Sequence, residues 1–121
     1  MAASVGIDIE DVARFKSLVR QRRFVERVYT PVEARYCASK KNKLQHFAAR
    51  FAAKEAVWKA LSAALAKKKL NLSHRDIGVA NDDSGKPHLT FPKKIHGWAS
   101  RVSLSLSHTR TTVVAVAIFQ A

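Results

Sequence analysis

From Leu44 to about Leu65 the chain has the composition and periodicity of one long helix, and this segment limits the fold more than any other. Set out at about 100° per residue, Leu44, Phe47, Phe51, Trp58 and Leu65 share an arc expected to face the core, and Glu55 falls within it. A carboxylate on that face is costly. Left unpaired in a buried site it loses several kcal/mol of solvation or has its pKa forced upward, so a cation, a metal or a neighbouring subunit is expected to meet it.

Glu55 is conspicuous because acids are scarce: 9 Asp and Glu accompany 22 Lys and Arg, for a formal net charge of +13. Such a balance calls for an acidic partner, whether nucleic acid, a phosphorylated cofactor, an anionic membrane or an acidic protein. The 121 residues, 47% of them hydrophobic, suit a single domain over 1–121 with one core, small enough to gain from oligomerisation. Cys37 is the only cysteine, which excludes an intrachain disulfide and a cysteine-rich zinc site. The first residues lack a basic start and an apolar run of signal or membrane-span length, so a cytoplasmic protein is expected.

The long helix has β neighbours. Val5, Ile7 and Ile9 alternate with Gly6 and Asp8, the period of a short strand with one buried face and Asp8 on the other. A helix is expected from about Asp11, with Val12, Phe15, Leu18 and Val19 inward and a basic ridge outward. Thr30-Pro31-Val32-Glu33 reads as an N-cap, a proline at the first helical position and a capping-box glutamate, opening a helix to about Ser39. After the long helix, Lys67, Lys68 and Lys69 complement its dipole. Strands around Ile77 to Ala80 and His88 to Phe91 flank a dense turn signal at residues 81–87, and a helical turn is expected between Pro92 and Ala99. Val102, Leu104 and Leu106 alternate with serines as a one-sided strand, whereas Thr111 to Phe119 is apolar enough to be covered on both faces. The architecture is therefore α+β, an antiparallel sheet packed on a long central helix.

Asp8 and Glu55 form the best carboxylate pair, one at the end of the first strand and the other on the helix that packs against it. Magnesium takes few protein carboxylates and completes its shell with water and substrate phosphate, so the pair suits a metal-bridged phosphate substrate. Spacing alone favours the plainer alternative, a structural ion pair of Glu55 with Lys54, Lys59 or an arginine. The ridge from Arg14 to Arg27 suits DNA or RNA phosphates, which makes a basic nucleic-acid-binding module the alternative function. No zinc-finger spacing, helix-turn-helix glycine or aromatic RNA-binding signature accompanies that ridge, and Phe15 and Phe24 among the cations suit docking of an acidic helix. Ser107 and His108 are adjacent and diverge on a strand, so serine nucleophile chemistry is rejected.

Four blocks in order, Gly6 to Phe15, Arg50 to Leu61, Gly85-Lys86-Pro87 and Ser105 to Thr109, resemble the holo-acyl-carrier-protein synthase family of 4′-phosphopantetheinyl transferases. The run Arg50-Phe51-Ala52-Ala53-Lys54-Glu55-Ala56 is the specific one. The resemblance implies the 4′-phosphopantetheinyl transferase fold. It also implies transfer of 4′-phosphopantetheine from coenzyme A to a serine of apo-acyl carrier protein, releasing adenosine 3′,5′-bisphosphate. By resemblance Asp8 and Glu55 hold Mg2+, and Lys59 joins them in catalysis and neutralises pyrophosphate charge. Arg50, Lys59, Pro87, His108 and Thr109 match the coenzyme A-binding surface, and Arg14, Arg20, Gln21, Arg23 and Phe24 the surface that grips the carrier protein. The resemblance further implies a homotrimer with active sites between protomers, and neither nucleic acid nor membrane as partner. Two departures stand out: Ser62 to Lys69 replaces a glycine-containing loop, and Thr111-Thr112-Val113 replaces a tyrosine after Ser-His-Thr.

Overall fold

A computed structural model describes residues 3–65 and 71–120, with His96 described by its backbone alone. In chain order these form β1 (Ala3–Asp11), a 3-10 turn at Val12–Arg14, α1 (Phe15–Leu18), α2 (Arg22–Val28), α3 (Pro31–Ala38) and α4 (Lys43–Ala64). A 3-10 turn at His74–Asp76, β2 (Gly78–Asn81), β3 (Pro87–Thr90), a 3-10 segment at Lys93–Arg101, β4 (Val102–His108) and β5 (Thr112–Gln120) follow. The main sheet is antiparallel in the order β1-β5-β4, while β2 and β3 make a separate hairpin. The expected α+β architecture is present, with α4 across one face of the main sheet.

The seam between α4 and the sheet is built from small residues. Ala52, Ala56 and Ala60 recur every fourth position and are fully buried, with Val57 and Leu61 beside them. From the sheet, Val113, Ala115, Ala117 and Phe119 of β5 face the helix. Ser4 of β1 donates its hydroxyl to the Ala60 carbonyl at 2.7 Å. This corrects the expected apolar arc: Trp58 is 36% exposed, and Leu44 and Phe51 are only partly buried. Large side chains do not fit where helix and strand backbones approach this closely, so Phe51 lies to one side against Phe15 and Phe24.

β1 is also turned over relative to expectation. Val5, Ile7 and Ile9 point outward, 59%, 58% and 65% exposed, while Ser4, Gly6, Asp8 and Glu10 form the inner face. In register, Val5 lies opposite Ile118, Ile7 opposite Val116 and Ile9 opposite Val114, so an apolar patch runs across the outer side of β1 and β5. α4 covers one face of β5 and leaves open the other, where a second subunit is the expected alternative cover, and the serines of β4 border that outer side.

The helix expected from Asp11 is broken into the 3-10 turn, α1 and α2, with Phe15, Phe24 and Val28 buried. α3 carries the expected capping box: Thr30 Oγ1 accepts from the Glu33 N–H at 3.2 Å, and Glu33 Oε1 accepts from the Thr30 N–H at 2.8 Å. Between β2 and β3, Asp82 accepts hydrogen bonds from the Ser84 hydroxyl and the Ser84 and Lys86 N–H groups, which hold its carboxyl down at about 2. Gly85 completes that turn at a φ of 86°. The expectations for Lys67, Lys68 and Lys69 lie outside the described residues.

Candidate active site

The alternation that puts Gly6 against α4 also puts Asp8 and Glu10 on the inner face of β1. Among the described residues, no N–H or hydroxyl group donates to the buried Oδ2 of Asp8. Its Oδ1 lies 3.5 Å from Lys59 Nζ, which also donates to the Ile7 carbonyl at 3.0 Å. Glu55 stands one helical turn before Lys59 on α4, the helix that packs across β1, and it is Lys59 that reaches Asp8. Among the described residues the partner of Glu55 is none of Lys54, Lys59 or an arginine. His74 Nε2 binds Glu55 Oε1, and the His74 ring stacks on Phe51 with centroids 5.4 Å apart and planes 5° from parallel.

Lys54 serves the fold instead. It is fully buried and donates to Glu33 Oε1 at 2.8 Å and to the carbonyls of His74 and Ile77 at 2.9 and 2.7 Å. Burial holds its pKa down, while Glu33 opposes that shift.

Glu10 adds a third carboxylate beside Asp8. It is 8% exposed, and its Oε1 accepts from Arg14 Nη1 at 2.6 Å. Burial first, then hydrogen bonding and charge from Asp8, push its carboxyl up to about 7, against the lowering effect of Arg14. Strand alternation could have placed Glu10 next to Asp8 from sequence, since residues two apart share a face. His74 carried no comparable signal.

Among the described residues no group of three or more His, Cys, Asp or Glu is arranged around a common metal position. The two-carboxylate arrangement still fits a hard cation. Asp8 Oδ2 is buried and reached by no N–H or hydroxyl group, Glu55 has a second oxygen to offer, and a magnesium ion takes one or two protein carboxylates while keeping water or substrate oxygens.

A cationic group lies nearer the start of α4. Arg50 is 5% exposed, donates to Asn81 Oδ1 at 3.0 Å and sits 4.2 Å over the Tyr36 ring. Lys40 lies 4.6 Å from the same ring, and the edge of His46 packs against it. Burial and then the charges of Lys40, Arg50 and His108 push His46 down. The amide of Gln45 donates to His108 Nδ1 at 2.8 Å and to the Thr109 carbonyl at 3.2 Å. Arg50, His108 and Thr109 are therefore brought into one neighbourhood, joined by Lys40 and His46, which the sequence did not single out. Gln45 and Glu55 are ten residues apart on α4, about 15 Å of helix rise. Pro87 lines a different groove, between β3 and β4.

Of the residues expected to grip a carrier protein, Arg14, Arg20, Gln21 and Arg23 are exposed. Phe24 is not: it is 8% exposed and packs against Phe15, Tyr29 and Phe51, which corrects its expected surface role to that of an anchor beneath the ridge.

The family described as the 4′-phosphopantetheinyl transferase superfamily, ACPS, matches residues 4–117. A holo-[acyl-carrier-protein] synthase of Geobacter sulfurreducens is 44% identical over 115 residues, covering 93% of this chain and 86% of that protein. An ACPS–CoA complex from Chronobacterium ammoniagenes superposes with a TM-score of 0.82 at 25% identity over 100% of both chains. A holo-(acyl-carrier-protein) synthase of Bacillus anthracis in complex with CoA (3′,5′-ADP) superposes with a TM-score of 0.75 at 33% identity, covering 96% of this chain and 94% of that one.

Proposed function

This chain belongs to the 4′-phosphopantetheinyl transferase superfamily and is an enzyme of that kind, and on that premise we propose the reaction and its residues. The substrates are coenzyme A and an apo-acyl carrier protein, the reaction depends on Mg2+, and the products are the holo-carrier and adenosine 3′,5′-bisphosphate. The carrier serine oxygen attacks the pantetheine-side phosphorus of the pyrophosphate. Its new P–O bond forms as the bond to the bridging oxygen breaks, the serine proton passes to a carboxylate of the site or to water, and the bisphosphate leaves.

The observation that carries this reading is Asp8: a buried carboxylate oxygen that no N–H or hydroxyl group reaches, beside Lys59 and a second carboxyl, Glu10. Asp8 and Glu55 would hold Mg2+, which when bound supplies charge neutralisation and alignment for the phosphate oxygens. Lys59 supplies a fixed positive charge beside the pyrophosphate. Arg50, Lys40 and His46 around Tyr36, with His108 close enough to act on His46, suit the nucleotide phosphates, with Thr109 at their edge and Pro87 further along the coenzyme. The ridge of Arg14, Arg20 and Arg23 with Gln21 suits an acidic carrier helix.

One chain leaves the carboxylate pair and the cationic group apart, and it leaves Val5, Ile7 and Ile9 exposed. Both observations support a homotrimer in which neighbouring protomers complete each active site and the outer sheet face is covered. Among the described residues no helix is long and apolar enough to cross a membrane, and we place the enzyme in the cytoplasm.

Mass spectrometry tests the reaction. Apo-carrier, coenzyme A and Mg2+ should give a carrier heavier by one phosphopantetheine; a competent carrier that gains no mass with active-concentration enzyme would remove the assignment.

A further inference from the structure

We propose that His74 is the positioning residue of Glu55: it holds one carboxylate oxygen and so sets the direction in which the other is offered to a divalent cation. The inference rests on the reading of Asp8 and Glu55 as metal ligands.

The contact has a defined polarity. An ionised carboxylate only accepts, so the contact with Glu55 Oε1 calls for a proton on His74 Nε2. The imidazole is itself fixed from two sides. Its ring stacks nearly parallel on Phe51, and the backbone carbonyl of the same residue accepts from the buried Lys54 ammonium at 2.9 Å. The turn at His74–Asp76 is closed by the Asp76 carboxylate, which accepts from the Ser73 N–H at 3.0 Å. Phe51 lies one turn before the adjacent Lys54 and Glu55 on α4, so the helix that carries Glu55 also holds the residue that orients it.

Without that hydrogen bond, a partly exposed glutamate on a flexible stem would sample several rotamers, and cation binding would have to order it. Partners that fix a ligating side chain typically change metal affinity by about 10–100-fold when removed. The His74 bond has the same form from the carboxylate side: one oxygen occupied by an imidazole donor, the other left for the ion. Asp8 is arranged alike, with Oδ1 near Lys59 and Oδ2 reached by no N–H or hydroxyl group.

Two substitutions separate the hydrogen bond from the packing. His74→Phe keeps an aromatic ring on Phe51 and removes the donor, whereas His74→Gln keeps a donor and loses the stack. Titration of Mn2+ into the metal-free protein, followed by electron paramagnetic resonance, should show affinity about tenfold or more weaker in His74→Phe and within about threefold of the parent in His74→Gln. In turnover, His74→Phe should raise the Mg2+ concentration needed for half-maximal rate while keeping most of kcat at saturating Mg2+. Unchanged Mn2+ affinity in His74→Phe, alongside lost affinity in Asp8→Ala, overturns the positioning role and leaves the metal reading intact. Unchanged affinity in both Asp8→Ala and Glu55→Ala overturns the metal reading itself. A measurement on the parent protein covers the case in which His74→Phe fails to fold: imidazole 1H–15N spectra should show His74 protonated at Nε2 and shifted by Mg2+. An Nδ1–H tautomer, or a signal that ignores Mg2+, overturns the proposal.

Discussion

A Cβ placed on Gly6 would lie 1.9 Å from the carbonyl oxygen of Ala56. The obstacle is backbone, which cannot rotate aside as a side chain does. Gly6→Ala must therefore lift β1 from α4, and overpacking of this kind costs on the order of 3 kcal/mol. The shift reaches Asp8 two residues on. A lowered melting temperature together with reduced turnover is expected; a melting temperature equal to the parent's would mean that the seam has slack.

Asp8 and Glu55 answer to a different measurement. Asp8→Ala and Glu55→Ala should each abolish phosphopantetheine transfer while circular dichroism and melting remain close to the parent, because neither side chain is part of the apolar seam. Full activity in either variant would remove that residue from the proposed metal site.

Glu10 gives a pH dependence of definite sign. Its carboxyl rises from the ordinary 4.5 to about 7, chiefly through burial and the neighbouring Asp8, so between those values the folded chain binds more protons than the unfolded one. Stability of the metal-free protein should therefore fall as pH rises through that window. Denaturant melts with a chelator present, across that range, measure it. In Glu10→Gln this part of the slope should vanish, and a parent protein with a flat profile would contradict the shift.

The Glu33–Lys54 pair joins α3 to α4 and, through the Val79 N–H at 2.8 Å from Glu33 Oε2, to β2. Glu33→Ala leaves a fully buried ammonium without its counter-charge and should cost about 3–5 kcal/mol. Lys54→Met should cost less, since Glu33 keeps donors from Thr30 and Val79. Adding Lys54→Met to Glu33→Ala should recover part of the loss in thermal melts; strict additivity would deny the coupling.

The outward apolar row predicts assembly. Ile7→Asp places a charge in the middle of the patch formed with Val116 and should reduce a trimer to monomers in light scattering, with loss of transferase activity. Retention of trimer mass by this variant would move the interface elsewhere.

The features legible in the sequence were those written into residues a few positions apart. The alternation in β1, the Thr30–Glu33 capping box, the turn around Gly85 and the length of α4 arise from local backbone and side-chain geometry, and the ordered motif blocks carried the resemblance to the transferase family. Tertiary structure decided which of two alternating faces is buried. β1 turns Gly6 and Asp8 inward rather than Val5, Ile7 and Ile9, because a missing Cβ lets the Ala56 backbone come close, and no periodicity records that approach. It also decided the company of Glu55. Its partner arrives from 19 residues away in a short 3-10 turn held by Lys54, so the contact depends on how separate elements dock and not on spacing along α4.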